Sequence, residues 1–160
     1  MRRATLGREP GNERMSTPIY ASAQDAEDAF YKALERGDYE AMVSVWADDE
    51  EVICVHPGAP RQRGVADVLA GWKRILGNGQ RLRVKVAQQS TITAMTVAVH
   101  SVHELISIEG EGPAKHPVVA TNVYQRTSRG WRMIVHHASP APGAAEPAPA
   151  PPDPSPKILH

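Results

Sequence analysis

Between Leu76 and Leu82 the apolar residues of this chain change their spacing, and that change constrains the fold more than any other feature. Before it they recur at helical intervals. Ala26, Ala29, Phe30, Ala33 and Leu34 form one stripe; Tyr39, Met42, Val43 and Trp46 a second; Val65, Val68, Leu69, Trp72, Ile75 and Leu76 a third. After it, "RLRVKVAQQS" alternates apolar and polar residues, as a strand with one dry and one wet face does. "TVAVHSVHELISI", "PVVATNVYQR" and "WRMIVHHA" follow as strands, the last two separated by the turn "TSRG". Helices first and consecutive strands afterwards describe an α+β protein, in which three helices pack on one face of a mainly antiparallel sheet.

Local signals mark the element ends. Ser22 with Asp25 three residues on reads as a capping box, and Gly37 as the terminator of the first helix. Asp38 caps the second helix, and the acidic run Asp48 to Glu51 closes it. An early strand, "VICVHPG", is stopped by Pro57 and Gly58. A loop carrying Arg61 and Arg63 leads to Gly64 and the third helix, and "GNGQ" turns the chain into the sheet.

The ends do not fit a packed core. From Pro140 onward the chain holds eight of its fourteen prolines and no hydrophobic pattern. Such a segment cannot bury enough apolar surface to offset its ordering entropy, so residues 140–160 read as a disordered tail. Residues 1–18 are polar, lack the apolar run of a signal peptide, and read as a flexible extension in which Met15 is an alternative start. The domain is therefore expected over 19–139.

Eighteen basic residues balance eighteen acidic ones, which leaves no net field to recruit nucleic acid or an anionic membrane. Arg81, Arg83 and Lys85 alternate along a strand as one solvated face. No segment has the twenty or so apolar residues of a membrane span. Cys54 is the only cysteine, which excludes an intramolecular disulfide and suits a reducing cytoplasm. Its apolar neighbours argue for an inert thiol.

Several stretches resemble the SnoaL-like branch of the nuclear transport factor 2-like proteins: "ALERGDYEAMVSVWADDEEVICVHPG", "RGVADVLAGWKRIL" and "TNVYQRTSRGWRMIVHHASP". The resemblance covers about residues 22–140. It implies the conical NTF2-like, or cystatin-like, fold: three N-terminal helices in the hollow of a strongly curved sheet, an open pocket, and homodimers formed through the sheet's outer face. Relatives include ketosteroid isomerase, polyketide cyclases, dehydratases and many members with no known chemistry, and no cofactor is expected here. An isomerase-type aspartate base and tyrosine oxyanion donor cannot be placed here by motif, so that activity does not transfer.

Within a cone, the residues that matter are titratable groups on inward-facing strand positions. His136 and His137 are adjacent in a strand, so one enters the cone and the other faces away. Trp131, Met133, Val135 and His137 alternate as the more apolar set, which favours His137 inside and His136 as a neighbouring binding residue; a bulge near the strand end would reverse them. His56 precedes a proline, is held extended, and shares a face with Val52 and Cys54. Glu104 sits midway along a strand between Val102 and Ile106 of its own face, where burial would raise its carboxyl towards the range useful for proton transfer. Asn122, on the face of Ala120 and Tyr124, could orient that carboxylate or a carbonyl.

The candidate catalytic set is thus His56, Glu104 and His137, with Trp46, Trp72, Asn122 and His136 as substrate-binding residues. No metal is expected. His100 and His103 face opposite sides of a strand, and His100 lies roughly 13 Å from Glu104, too far for a shared zinc. A site built from His56, Glu104 and His137 on separate strands is the remaining zinc alternative. Two functions fit: a cofactor-independent isomerase, cyclase or dehydratase acting on a small apolar molecule, or a non-catalytic ligand-binding or dimerisation domain. Equally, the polar residues could form a buried network that only fixes the shape of the cone.

Overall fold

The computed structural model describes residues 16–112 and 117–142. The expected N-terminal extension up to residue 15, and the proline-rich tail from 143, lie outside the described residues. Helix α1 spans Ala23–Arg36 and begins with the expected reciprocal cap. The Ser22 hydroxyl accepts from the Asp25 N–H at 3.0 Å, and Asp25 accepts from the Ser22 N–H at 3.0 Å. Gly37 ends the helix in the left-handed region at φ 64°, a conformation that side chains with a Cβ resist. Asp38 caps α2 (Tyr39–Val45) through the Ala41 N–H. Trp46 does not continue that helix: it is extended at the C-cap and bridges to Met133. Helix α3 spans Val65–Leu76. No helix among the described residues is long and apolar enough to cross a membrane.

Among the described residues, six strands make one sheet in the order β2-β1-β6-β5-β4-β3. Their ranges are β1 Ile53–Val55, β2 Gln62–Arg63, β3 Leu82–Thr93, β4 Val97–Ile108, β5 Val118–Thr127 and β6 Gly130–Pro140. The pairings are antiparallel except that of β1 with β6, which is parallel. Strand β2 occupies the stretch read as a loop; its two residues pair with Ile53 and Cys54, a length too short for any alternation to reveal.

Strand alternation holds where it was expected, with two interruptions. On β4, Ala98, His100, Val102 and Glu104 are buried and their neighbours half-buried, so these four face the helices. On β5 the inward set is Ala120, Asn122 and Tyr124. The register of β3 shifts between Ala87 and Ser90, where Gln88 takes φ 49°. The register of β5 with β6 shifts so that Val123 pairs with Val135 while Tyr124 pairs with Met133. Ile134 is the extra residue, a β-bulge. The core lies between sheet and helices, built from Phe30, Leu34, Met42, Val45, Val68 and Trp72 against Val102, Ala120 and Met133.

Candidate functional site

The polar centre of the cone is built by α1 and the three central strands. Ala23, Glu27, Phe30, Tyr31 and Leu34 fall on one face of α1 at three- and four-residue spacing, and all are buried. Two carboxylates and a tyrosine thereby meet in the interior. Glu27, 1% exposed, and Glu104, 2% exposed, come from opposite layers. The Tyr31 hydroxyl donates to Glu104 Oε1 at 2.7 Å and accepts from Asn122 Nδ2 at 3.0 Å. Asn122 Nδ2 also donates to Glu27 Oε2 at 3.2 Å. Glu27 further accepts from the Tyr124 hydroxyl at 3.1 Å, from Gln89 Nε2 at 2.6 Å and from His100 Nδ1 at 3.0 Å. A carboxylate so surrounded by donors is well satisfied despite its burial.

Asn122 links this network to the histidines. With its amide nitrogen committed to Glu27 and Tyr31, its Oδ1 accepts from His136 Nδ1 at 2.7 Å, which places the ring proton on Nδ1 and leaves Nε2 as an acceptor. His136 packs against Phe30 and Trp72, with ring centroids 5.0 and 5.8 Å apart. His56, half-buried at the end of β1, stands edge-on to Trp72 at 4.7 Å and 6.3 Å from His136. Its Nε2 lies 3.6 Å from the Cys54 sulfur. The Trp72 indole nitrogen is buried without a hydrogen-bond partner among the described residues.

Burial sets the proton affinities. It drives the Glu104 carboxyl up to about 7, against a lowering by the Tyr31 hydrogen bond and with a smaller upward push from the Glu27 charge. Burial lowers His136 to about 3, helped by the neighbouring His56 and His137. It lowers His56 as well. Both imidazoles are therefore neutral near pH 7. Burial raises the Tyr31 hydroxyl far above the ordinary tyrosine range, with the Glu104 charge adding to it, so Tyr31 stays a proton donor. The Cys54 thiol is pushed up to about 12 by burial, then by the Glu104 charge, as suits an inert sulfur.

Glu104, Asn122, His136, Trp72 and His56 thus converge, and His137 does not. It is exposed on the sheet's outer face, while His136 is 3% exposed on the inner one. The apolarity of Trp131 and Met133 pointed to the correct face, but the bulge at Ile134 moves every later residue to the other side. His136 and Ala138 join Met133 inside, and His137 leaves. That orientation also dismantles the His56, Glu104 and His137 zinc alternative; no group of metal-ligating residues gathers among the described residues. Trp46 is buried away from the cluster and lines a separate cavity of about 790 Å³, bordered by Tyr20, Leu69 and Arg132. A second, of about 310 Å³, is lined by His100 and Trp131. Neither cavity is lined by Glu104, His56 or His136; Phe30, Tyr31 and Trp72 occupy the space beside them.

Glu27 and Tyr31 escaped the sequence reading. Their signal was present: a glutamate four residues after Ala23 and three before Phe30 lies on the apolar stripe, where an unpaired charge is not tolerated. Its donors come from three strands up to 97 residues away, and no local pattern names them.

Comparison with known proteins gives a consistent result. A family described as "SnoaL-like domain" matches residues 24–143. A solved structure from Thiobacillus denitrificans, provisionally called a calcium/calmodulin-dependent protein kinase type II association domain, is 39% identical with a TM-score of 0.71, over 78% of this chain and 99% of that one. An NTF2-like protein from Streptomyces avermitilis, provisionally called a dehydratase, is 35% identical with a TM-score of 0.67, over 74% and 92% of the two chains. The Arabidopsis thaliana F-box protein SKIP8 is 22% identical over 110 residues, 69% of this chain. The chain spans about half the length of that curated relative, 46%.

Proposed function

Because this chain belongs to the SnoaL-like family, within the NTF2-like superfamily, we propose that it is a small-molecule acid–base enzyme of the isomerase, cyclase or dehydratase kind. One observation carries the reading: Glu104, with its carboxyl near 7, is held by the Tyr31 hydroxyl at 2.7 Å in an apolar interior. A carboxyl with that affinity is divided between its two forms at neutral pH and can both take and return a proton. On the inner face it adjoins Val86 and Val118 in register, and Leu82, Val84 and Ile106 continue an apolar collar beside it. Phe30, Tyr31 and Trp72 fill the space beside Glu104, so a small, largely apolar carbonyl compound reaches this collar by displacing them.

The chemistry needs only these side chains. Glu104 carboxylate takes a proton from the carbon beside the carbonyl, and the electron pair moves onto the carbonyl oxygen. Returning the same proton to another carbon completes an isomerisation. Giving it to a β-hydroxyl, which leaves as water, completes a dehydration. Neutral His56, beside Trp72 at the half-exposed end of β1, donates a hydrogen bond to the oxygen that gains charge. Asn122 holds Tyr31 and His136 in place. The Streptomyces relative's provisional name agrees with the dehydratase branch.

Identification of a co-purified ligand by native mass spectrometry, followed by turnover assays on its carbonyl relatives, tests this. Glu104→Gln, which still accepts from Tyr31, is expected to remain folded and lose turnover by at least about a hundredfold. Unchanged turnover in that variant removes the reading.

A second reading rests on the sheet's outer face. Ile53, Val135, Val123, Val99 and Ile92 are aligned by register across five strands into one apolar row, with Ile92 71% exposed. Such a row can pair with its own copy across a two-fold axis, forming a homodimer. The provisional name of the Thiobacillus relative, an association domain, supports self-association. A dimer by light scattering that Val99→Asp converts to monomer is the expected result, and a wild-type monomer at micromolar concentration refutes it.

A further inference from the structure

A second site lies at the other end of the polar network, away from Glu104. His100 is 3% exposed, and its Nδ1 is committed to Glu27 Oε2 at 3.0 Å. A carboxylate can only accept, so Nδ1 carries a proton, and Nε2 is left without a partner among the described residues. The same ring lines the 310 Å³ cleft. Ala23 and Gln24 at the start of α1, Thr91 and Thr93 of β3, and Trp131 line it as well.

These groups share one character. Ala23 and Gln24 are the first two residues of the fourteen-residue α1, so their N–H groups have no acceptor within the helix. The N–H of Asp25 is taken by the Ser22 hydroxyl, and that of Ala26 by the Ser22 carbonyl. The positive end of the helix dipole therefore meets the free edge of a buried imidazole and two hydroxyls. No aspartate, glutamate, lysine or arginine lines the cleft. The nearest carboxylates are already engaged, Asp25 with the Ser22 N–H and Glu27 with its four donors.

We infer that this cleft is a binding site for a compact carboxylate, separate from the interior around Glu104. Nδ1–H of His100 is donated to Glu27, Nε2 shares the proton taken up with the ligand with one ligand oxygen, and the α1 N–H groups with Thr91 or Thr93 receive the other. The volume admits a ligand of a few heavy atoms, at the small end of ordinary binding sites. Glu27 is then a positioning residue that fixes the imidazole's orientation from behind, and Gln89, 3.4 Å from the same nitrogen, closes that side. The inference stands whether or not Glu104 is catalytic.

The test is an acetate titration of the full chain followed by amide and imidazole NMR, with chloride at equal ionic strength as the reference. Saturable shifts confined to Ala23, Gln24, Thr91, Thr93 and the His100 ring are expected. His100→Gln should weaken acetate at least about tenfold, the loss of one hydrogen bond to a charged group. Should that variant fail to fold, the double variant Thr91→Val, Thr93→Val, on exposed rim positions, is expected to weaken binding several-fold with the core undisturbed. Acetate shifts no different from those of chloride, or unchanged affinity in the variants, overturn the site.

Discussion

Replacing Glu104 by glutamine reads out the electrostatic cost at the centre of the cone. The folded protein holds this carboxyl near 7, against an ordinary value of 4.5. The unfolded chain releases its proton first, so between those values the native state binds more protons and stability falls as pH rises. Each pH unit of difference corresponds to about 1.36 kcal/mol, and 7 − 4.5 leaves about 3 kcal/mol. The contribution is fully present below pH 4.5 and gone above pH 7. Glutamine occupies the same volume, keeps an oxygen for the Tyr31 hydroxyl, and does not titrate.

The stability of Glu104→Gln relative to the natural chain should therefore improve by about 3 kcal/mol between roughly pH 4 and pH 8. Urea unfolding followed by fluorescence of the buried Trp46, Trp72 and Trp131 measures both curves. Groups that titrate alike in both proteins cancel in the difference. If the two curves run parallel, Glu104 is not displaced, and neither the burial argument nor the acid–base role survives.

Three further outcomes follow from the same geometry. Glu27→Ala strands four donors from Asn122, Tyr124, Gln89 and His100 in the interior, and thermal or urea unfolding should show a loss of about 3–5 kcal/mol. His136, lowered to about 3, should show no imidazole titration by NMR from pH 5 to pH 8; because its folded value lies below its unfolded one, its share of stability is present above about pH 6.5 and is lost as pH falls towards 3. The Cys54 thiol, pushed up to about 12, should resist a disulfide exchange reagent at pH 8 until the chain is unfolded, and prompt reaction of the folded protein would contradict its burial.

Much of the architecture was legible because its causes are local. The Ser22 and Asp25 cap, the left-handed stop at Gly37 and the stripes of the helices depend on residues within a turn or two of each other. The alternation of β4 named Glu104 as an inward carboxylate, and that of β5 named Asn122, since an unbroken strand has only two faces. His56 followed from the same rule and from the proline behind it.

What only the tertiary structure decided has a different physical origin. Whether His136 or His137 points inward turns on one unpaired residue, Ile134, and a bulge is settled by the fit of β6 between β5 and β1. Glu27 and Tyr31 became part of the site because the curved sheet brings Gln89, His100, Asn122, Tyr124 and Glu104 down onto α1. The space that the sequence suggested would be hollow is occupied by Phe30, Tyr31 and Trp72, and the two cavities described above are lined by other residues. Spacing along a chain determines which face a side chain takes. Which groups then meet across that face depends on strand register and sheet curvature, and these are fixed by the packing of all the layers together.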